Sequence, residues 1–219
     1  MVKTILTPLQ KNFLSLFSEN KTLTKNFYLS GGTALAEFHL KHRFSEDLDF
    51  FSEKEFSLIS IQAFLKKITP LLKLSKIEYR NFMGLHTFFL YHKQAILKVN
   101  FNFYPFIRLQ KSKKFDNLSV DSLKDIAVNK LQTIGTQPRS RDFIDLYCII
   151  QKTAWAIEEL KKEARNKFDY YIDPLHLGSR FLMAKEMKDY PRLIRRLEEK
   201  DWQNFFQKEA EKLKNKILR

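Results

Sequence analysis

Cysteine is nearly missing from this chain. Cys148 is the single one, so no disulfide can form within it. Its setting in the apolar run Leu146-Tyr147-Cys148-Ile149-Ile150 reads as a buried core thiol. Flexible material is scarce too. Five glycines and six prolines in 219 residues leave little for long linkers, and a hydrophobic share of 44% with 21 phenylalanines excludes a disordered chain. No apolar run is long enough to span a bilayer, and no charged-then-apolar leader opens the sequence, so a cytoplasmic setting without a membrane partner is expected. Acid is the other shortage. Twenty-five Asp and Glu against 39 Lys and Arg give a net charge of +14, which favours a polyanionic partner because every neutralised phosphate releases counterions. Nucleic acid suits this better than a membrane surface, since no helix is apolar on one face and uniformly basic on the other.

The most informative stretch runs from Phe27 to Phe51. A short apolar run, Phe27-Tyr28-Leu29, reads as a buried strand; Ser30-Gly31-Gly32-Thr33 follows; and Ala34 to Phe38 favours helix, with a helix expected from Thr33 to Lys41. Two glycines between strand and helix permit a sharp turn, and the N–H groups bared at a helix start suit a phosphate. In Glu46-Asp47-Leu48-Asp49-Phe50-Phe51, strand alternation puts Asp47 and Asp49 on one face and Leu48 and Phe50 on the other. Two carboxylates so placed can hold Mg²⁺ and leave room for substrate phosphate oxygens. Alone, each half equally describes a plain strand–helix connection or a solvated strand edge. In this order and at this separation, they are the equipment of phosphoryl or nucleotidyl transfer.

Leu29-Ser30-Gly31-Gly32-Thr33-Ala34-Leu35, followed by Arg43-Phe44-Ser45-Glu46-Asp47-Leu48-Asp49-Phe50, resembles the AbiEii/AbiGii nucleotidyltransferase toxins of the DNA polymerase β-like superfamily. A later stretch, Asp125-Ile126-Ala127-Val128-Asn129-Lys130-Leu131 with Arg139-Ser140-Arg141-Asp142-Phe143-Ile144-Asp145-Leu146-Tyr147, resembles that family's second signature. The resemblance implies that Ser30, Gly31, Gly32 and Thr33 cradle the β- and γ-phosphates of an NTP, with Arg43, Ser45, Lys130 and Arg139 also at the nucleotide. It implies Asp47 and Asp49 as Mg²⁺ ligands and, with Lys130 and Asp145, as the catalytic set. It further implies an RNA acceptor at a tRNA end and a cognate antitoxin.

The rest of the chain fills in around these motifs. Thr7 to Phe17 is an amphipathic helix opened by Thr7-Pro8, Asn20 to Lys25 a loop, and Phe56 to Leu72 a second helix. Lys76–Phe82, Leu85–Tyr91 and Ile96–Tyr104 form an antiparallel meander. On its last strand, Asn100 and Asn102 stand where polymerase β-like enzymes carry a third acid, and Phe101 and Phe103 are expected on the buried face. Asparagine offers a carbonyl oxygen without charge, so the site takes one metal or borrows another acid such as Glu78. Pro105 to Leu118 is basic and irregular. A helix started by Val120-Asp121-Ser122 and running through Leu123 to Gly135 carries Lys130. The next, from Arg141 to Gln151, puts Asp142 and Asp145 on one face, where Asp145 needs a partner such as Lys130 or Arg139. Asp142 also reads as a helix cap. Further helices are expected at Ala156 to Phe168, Asp173 to Met183, Pro191 through Leu197, and Asp201 to Leu218. His176 has no second ligand at suitable spacing and reads as structural.

The expected fold is α/β: a polymerase β-like nucleotidyltransferase core with a mixed twisted sheet over residues 1–118, and a helical half over 119–219 completing the cleft. The expected activity is Mg²⁺-dependent transfer of an NMP from an NTP to RNA. The alternatives are a catalytically weakened module that binds nucleotide or RNA without turnover, and a transferase acting on small cationic molecules, which the basic charge disfavours. The charge excess makes its own prediction: in fluorescence anisotropy, affinity for an RNA oligonucleotide should fall at least about tenfold between about 50 and 200 mM salt, the slope that several phosphate contacts produce.

Overall fold

A computed structural model describes residues 4–217, with side chains through Lys214. The chain divides into two compact units, Met1–Ile107 with Lys111–Ser122, and Leu123–Arg219 with Arg108–Gln110.

The first unit opens with α1 (Pro8–Glu19). Its capping box joins Thr7 and Gln10: the Gln10 amide donates to the Thr7 hydroxyl, and the Thr7 amide donates to Gln10 Oε1. The segment expected to be a loop is instead a short helix, α2 (Lys21–Asn26). Asn20 caps it, accepting from the Leu23 amide at 3.1 Å, and Leu23 is fully buried. A cap and one anchoring residue suffice for a turn and a half of helix that no periodicity could signal.

Then come β1 (Tyr28–Ser30), α3 (Gly31–Leu35) with a π-helical continuation over Ala36–Leu40, β2 (Leu48–Ser52) and α4 (Leu58–Leu71). The sheet is completed by β3 (Lys76–Phe82), β4 (Leu85–His92), β5 (Ala95–Phe103), β6 (Lys113–Phe115) and β7 (Leu118–Val120). Its order is β3-β4-β5-β2-β1-β7-β6. β2 runs parallel to β5 and β1 parallel to β7, and the remaining neighbours are antiparallel. The sheet is therefore mixed, as expected for the fold. The stretch expected to be irregular holds the β6–β7 hairpin, because Leu118 and Val120 are fully buried while Ser119 between them is not.

One face of β2 and β5 lies under α1 and α4 in a stack of phenylalanines. Phe17 and Phe50 ring centroids are 4.1 Å apart, Phe50 and Phe101 5.2 Å, and Phe13 and Phe64 5.7 Å with their planes near perpendicular. Such pairs add about 0.5–1.5 kcal/mol each beyond burial of their area. Phe101 is buried as expected, but Phe103 is 44% exposed, because it ends β5 beyond the helical cover.

The second unit contains α5 (Leu123–Thr136), α6 (Ser140–Thr153), α7 (Ile157–Phe168), α8 (Pro174–Leu182) with a 3₁₀ turn at Met183–Lys185, and α9 (Glu199–Ile217). The last expected helix reached Leu218, which lies outside the described residues. No helix forms from Pro191 to Leu197. Leu193, Ile194 and Leu197 have helix-like spacing but are only half-buried, and so short a segment lacks the apolar stripe that repays nucleation. Phe143, Phe181 and Phe206 make the aromatic centre of this unit, with centroids 4.9 and 5.1 Å from the Phe206 ring.

Asp125 of α5 and Lys167 of α7 are both fully buried and ion-paired at 2.8 Å. Asp125 also accepts the Leu109 and Gln110 amides at 2.8 and 3.2 Å, which ties that segment to α5. Lys167→Met leaves the carboxylate without its ammonium. It should lower stability by about 3 kcal/mol in urea unfolding followed by helical circular dichroism.

Candidate active site

The turn from β1 into α3 is fixed by close approach. Gly31 has φ +73°, and a Cβ there would lie 2.4 Å from Asp49 Oδ2. A Cβ on Gly32 would lie 2.6 Å from an Arg43 guanidinium nitrogen and 3.0 Å from Ser45 Oγ. The helix begins at Gly31, two residues earlier than expected, so the Asp49 carboxylate rests against its positive end. The second half of that helix is π-wound and ends at Lys41 with φ 51°, an irregularity often found beside functional sites.

Parallel pairing of β2 with β5 sets the acids. Leu48 pairs with Val99, Asp49 with Asn100, and Phe51 with Asn102. Asn100 Nδ2 donates to Asp49 Oδ1 at 2.8 Å, and its Oδ1 accepts from Thr87 on β4 at 2.8 Å. Of the two asparagines, then, Asn100 adjoins the acid pair while Asn102 sits beside Phe51. One step before Asn100 on the same face, Lys98 donates to Asp47 Oδ2 at 3.2 Å. Lys98 was not singled out from the sequence. Its signal was the alternation Lys98-x-Asn100-x-Asn102, which becomes informative only once the register with Asp47-x-Asp49 is known. Glu78 cannot join this group. It lies on β3, three strands from β2 and so about 14 Å away at ordinary strand spacing. A hydrogen bond from Lys76 holds its carboxyl below the usual carboxylate range.

The loop leading to Asp47 is held from several sides. Gln10 Nε2 donates to the carbonyls of Ser45 and Glu46 at 2.9 and 3.0 Å, and the Thr33 hydroxyl donates to the Asp47 carbonyl. Arg43 is almost fully buried and donates to the Phe44 carbonyl at 2.8 Å. Ser30 is fully buried, its hydroxyl donating to Asp121 Oδ2 at 2.7 Å. The two hydroxyls of the Ser30–Thr33 turn therefore brace the site, and any anion contact from this turn falls to its backbone. Gln10 escaped the sequence reading, although its place in a capping box was visible.

Lys130, Arg139, Asp142 and Asp145 belong to the second unit and form one cluster. Lys130 Nζ is 2.7 Å from both Asp142 Oδ1 and Asp145 Oδ2, and Arg139 Nε is 3.0 Å from Asp142 Oδ2. Asp145 has Lys130 for its partner, and Asp142 holds both cations rather than merely capping α6. Both carboxylates are buried; Arg139 is half-exposed. Cys148 is only half-buried, a correction to the core-thiol reading, because it lies on the side of α6 away from Phe143 and Leu146. His176 Nε2 lies 2.6 Å from the Gly135 carbonyl, a structural contact.

Among the described residues, no group of three or more His, Cys, Asp or Glu could hold a metal ion, and no helix is long and apolar enough to cross a membrane. The Asp47–Asp49 pair still fits one Mg²⁺. That ion commonly takes one or two carboxylates and fills its other positions with water and phosphate, and both residues are half-exposed at the start of the central strand β2.

The sequence is 32% identical over 157 residues to an uncharacterized protein of Aquifex aeolicus, aq_aa25, covering 67% of this chain and 68% of that one. Two Helicobacter pylori structures share the fold. One, described as a candidate nucleotidyltransferase, superposes with TM-score 0.59 at 19% identity over 97% of both chains. The other, JHP933, gives TM-score 0.58 at 18% identity over 97% of this chain and 94% of that one. The family described as nucleotidyl transferase AbiEii toxin, type IV TA system, matches residues 14–216, both motif regions included. The acid pair behind a Gly-Gly turn and the lysine–carboxylate cluster thus lie in a chain that belongs to the AbiEii nucleotidyltransferase toxin family.

Proposed function

We propose that this protein moves a nucleoside monophosphate from an NTP to an RNA acceptor at a tRNA end, with Mg²⁺, as the toxin of a pair with a cognate antitoxin. The observation that carries the reading is the β2–β5 register, with Asp49 beside Asn100 and against the start of α3, and Asp47, two residues earlier on the same face, against Lys98. Asp47 and Asp49 would hold the metal, which supplies neutralisation of the triphosphate charge that grows as pyrophosphate leaves. The backbone of Gly31 and Gly32 offers donors to phosphate oxygens. Ser30, Thr33 and Ser45, with Gln10, hold that backbone and the acids in place, and Arg43 stiffens the loop from within. Lys130 and Arg139 supply further positive charge. Because Lys130 is shared by Asp142 and Asp145, it would have to leave one carboxylate to grip a phosphate, with Asp145 orienting it. Positioning and electrostatics carry this chemistry, so no side chain needs to be covalently modified.

A second reading, nucleotide or RNA binding without turnover, is favoured by the Asn100 amide on Asp49. An asparagine in the place of a third acid supplies no charge to a second metal. Incubating the protein with each α-phosphate-labelled NTP, Mg²⁺ and total RNA separates the two readings. Label should appear in RNA for the transferase, and bound but unreacted nucleotide for the binding module.

Asp47→Asn with Asp49→Asn should abolish labelling while the circular dichroism spectrum stays unchanged; full labelling by this variant would remove the acid pair from the mechanism. The glycines make a separate test. Gly84 also has positive φ (+81°), but nothing lies within 4 Å of a Cβ there. Gly84→Ala should therefore cost about 1 kcal/mol of backbone strain and keep its activity. Gly31→Ala adds a collision with Asp49 and should lose transfer more than about a hundredfold, the penalty of shifting a reacting group by an ångström.

A further inference from the structure

Lys98 carries a positive charge into direct contact with Asp47. The parallel register of β2 and β5 puts it there, with Leu48 against Val99 and Asp49 against Asn100, so the contact is set by backbone pairing rather than by chance at a surface. Its Nζ lies 3.2 Å from Asp47 Oδ2, with 38% of the Lys98 side chain and 31% of the Asp47 side chain exposed. The long stem and half-exposed head leave the ammonium room to swing away. Charge counting gives the consequence. Asp47, Asp49 and Lys98 sum to −1. One divalent ion brings these three to +1 and a second would bring them to +3, and the neighbour of Asp49 on β5 is the neutral Asn100, which offsets none of that repulsion.

We infer that Lys98 is a built-in cation that shares Asp47 with a single divalent metal: the ion displaces Lys98 from Asp47 Oδ2, and the released ammonium meets the polyphosphate of the nucleotide, in the charge role of a second metal ion. The inference rests on the proposed metal binding by Asp47 and Asp49. It makes Lys98 an opponent of the metal in the free protein and an ally of the phosphates once the metal is in place.

The test is calorimetric titration of the full chain with Mn²⁺ alone, and then with inorganic tripolyphosphate in the presence of Mn²⁺. Lys98→Met should bind Mn²⁺ at least about twofold tighter than the unmodified protein, the range expected for losing one half-exposed ion pair. The same variant should bind tripolyphosphate at least about fivefold more weakly, the loss of one charge-assisted contact. Lys98→Gln, checked by circular dichroism, should repeat both shifts and serves if the Met variant does not fold. Opposite signs are the signature. A merely structural lysine would weaken both titrations and a bystander would move neither, and either result overturns the inference. A stoichiometry of two Mn²⁺ in the unmodified protein overturns it as well. Mn²⁺ binding that survives Asp47→Asn with Asp49→Asn refutes the metal assignment itself. Binding lost in that variant but indifferent to Lys98 refutes only the role of Lys98.

Discussion

The parallel pairing of β2 with β5 is the constraint on which the candidate site of the first unit depends. Because side chains alternate across a strand, one register decides two faces together. On one face, Phe50 and Phe101 stack at 5.2 Å and are covered by the phenylalanines of α1 and α4. On the other, Asp49 meets Asn100 and Asp47 meets Lys98. A slip of one residue would turn the acids into the core and the aromatic rings into water. Burial of the rings therefore supplies the free energy that holds the acids in line, and chemistry and stability are two sides of one ladder.

Around this ladder, the first unit limits the movement of the acids by contact from without. Gly31 and Gly32 are small because Asp49 and Arg43 occupy the space a side chain would need. Gln10 reaches from α1 to two loop carbonyls, and Thr33 from α3 to a third, so the loop before β2 has partners on separate elements. The hydroxyls of Ser30 and Thr33 are engaged within the protein. What the turn presents outward is backbone, which needs no reorganisation to meet an anion.

The second unit uses charge differently. Asp125 with Lys167, and Lys130 with Asp142 and Asp145, are buried ions satisfied by one another. Taking such groups out of water costs several kcal/mol per ion before pairing offsets it. Asp125 recovers part of that by fastening the Leu109–Gln110 segment through two amides. In the other cluster, two carboxylates share one ammonium and a half-exposed guanidinium. Any anion arriving there would have to compete for cations already bonded to protein.

Much of this was legible in the sequence because it is local. The alternation of Asp47-Leu48-Asp49-Phe50 fixed which residues share a face, the Gly-Gly pair marked the turn, and the three strands of the meander were delimited by their turns. Spacing of three along a helix put Asp142 and Asp145 on one side. Contacts between distant segments were not legible. Nothing near Lys98 says that it will stand against Asp47, 51 residues away, nor does the capping box of α1 reveal that Gln10 holds the loop before β2. The helix expected after Pro191 failed for the same reason in reverse, since local spacing promised a buried face that no neighbour provides. Local patterns determine which faces exist and which residues share them, because φ, ψ and side-chain direction repeat along the chain. Which face meets which partner is decided by burial and strand pairing across the whole fold, and only the tertiary structure records that.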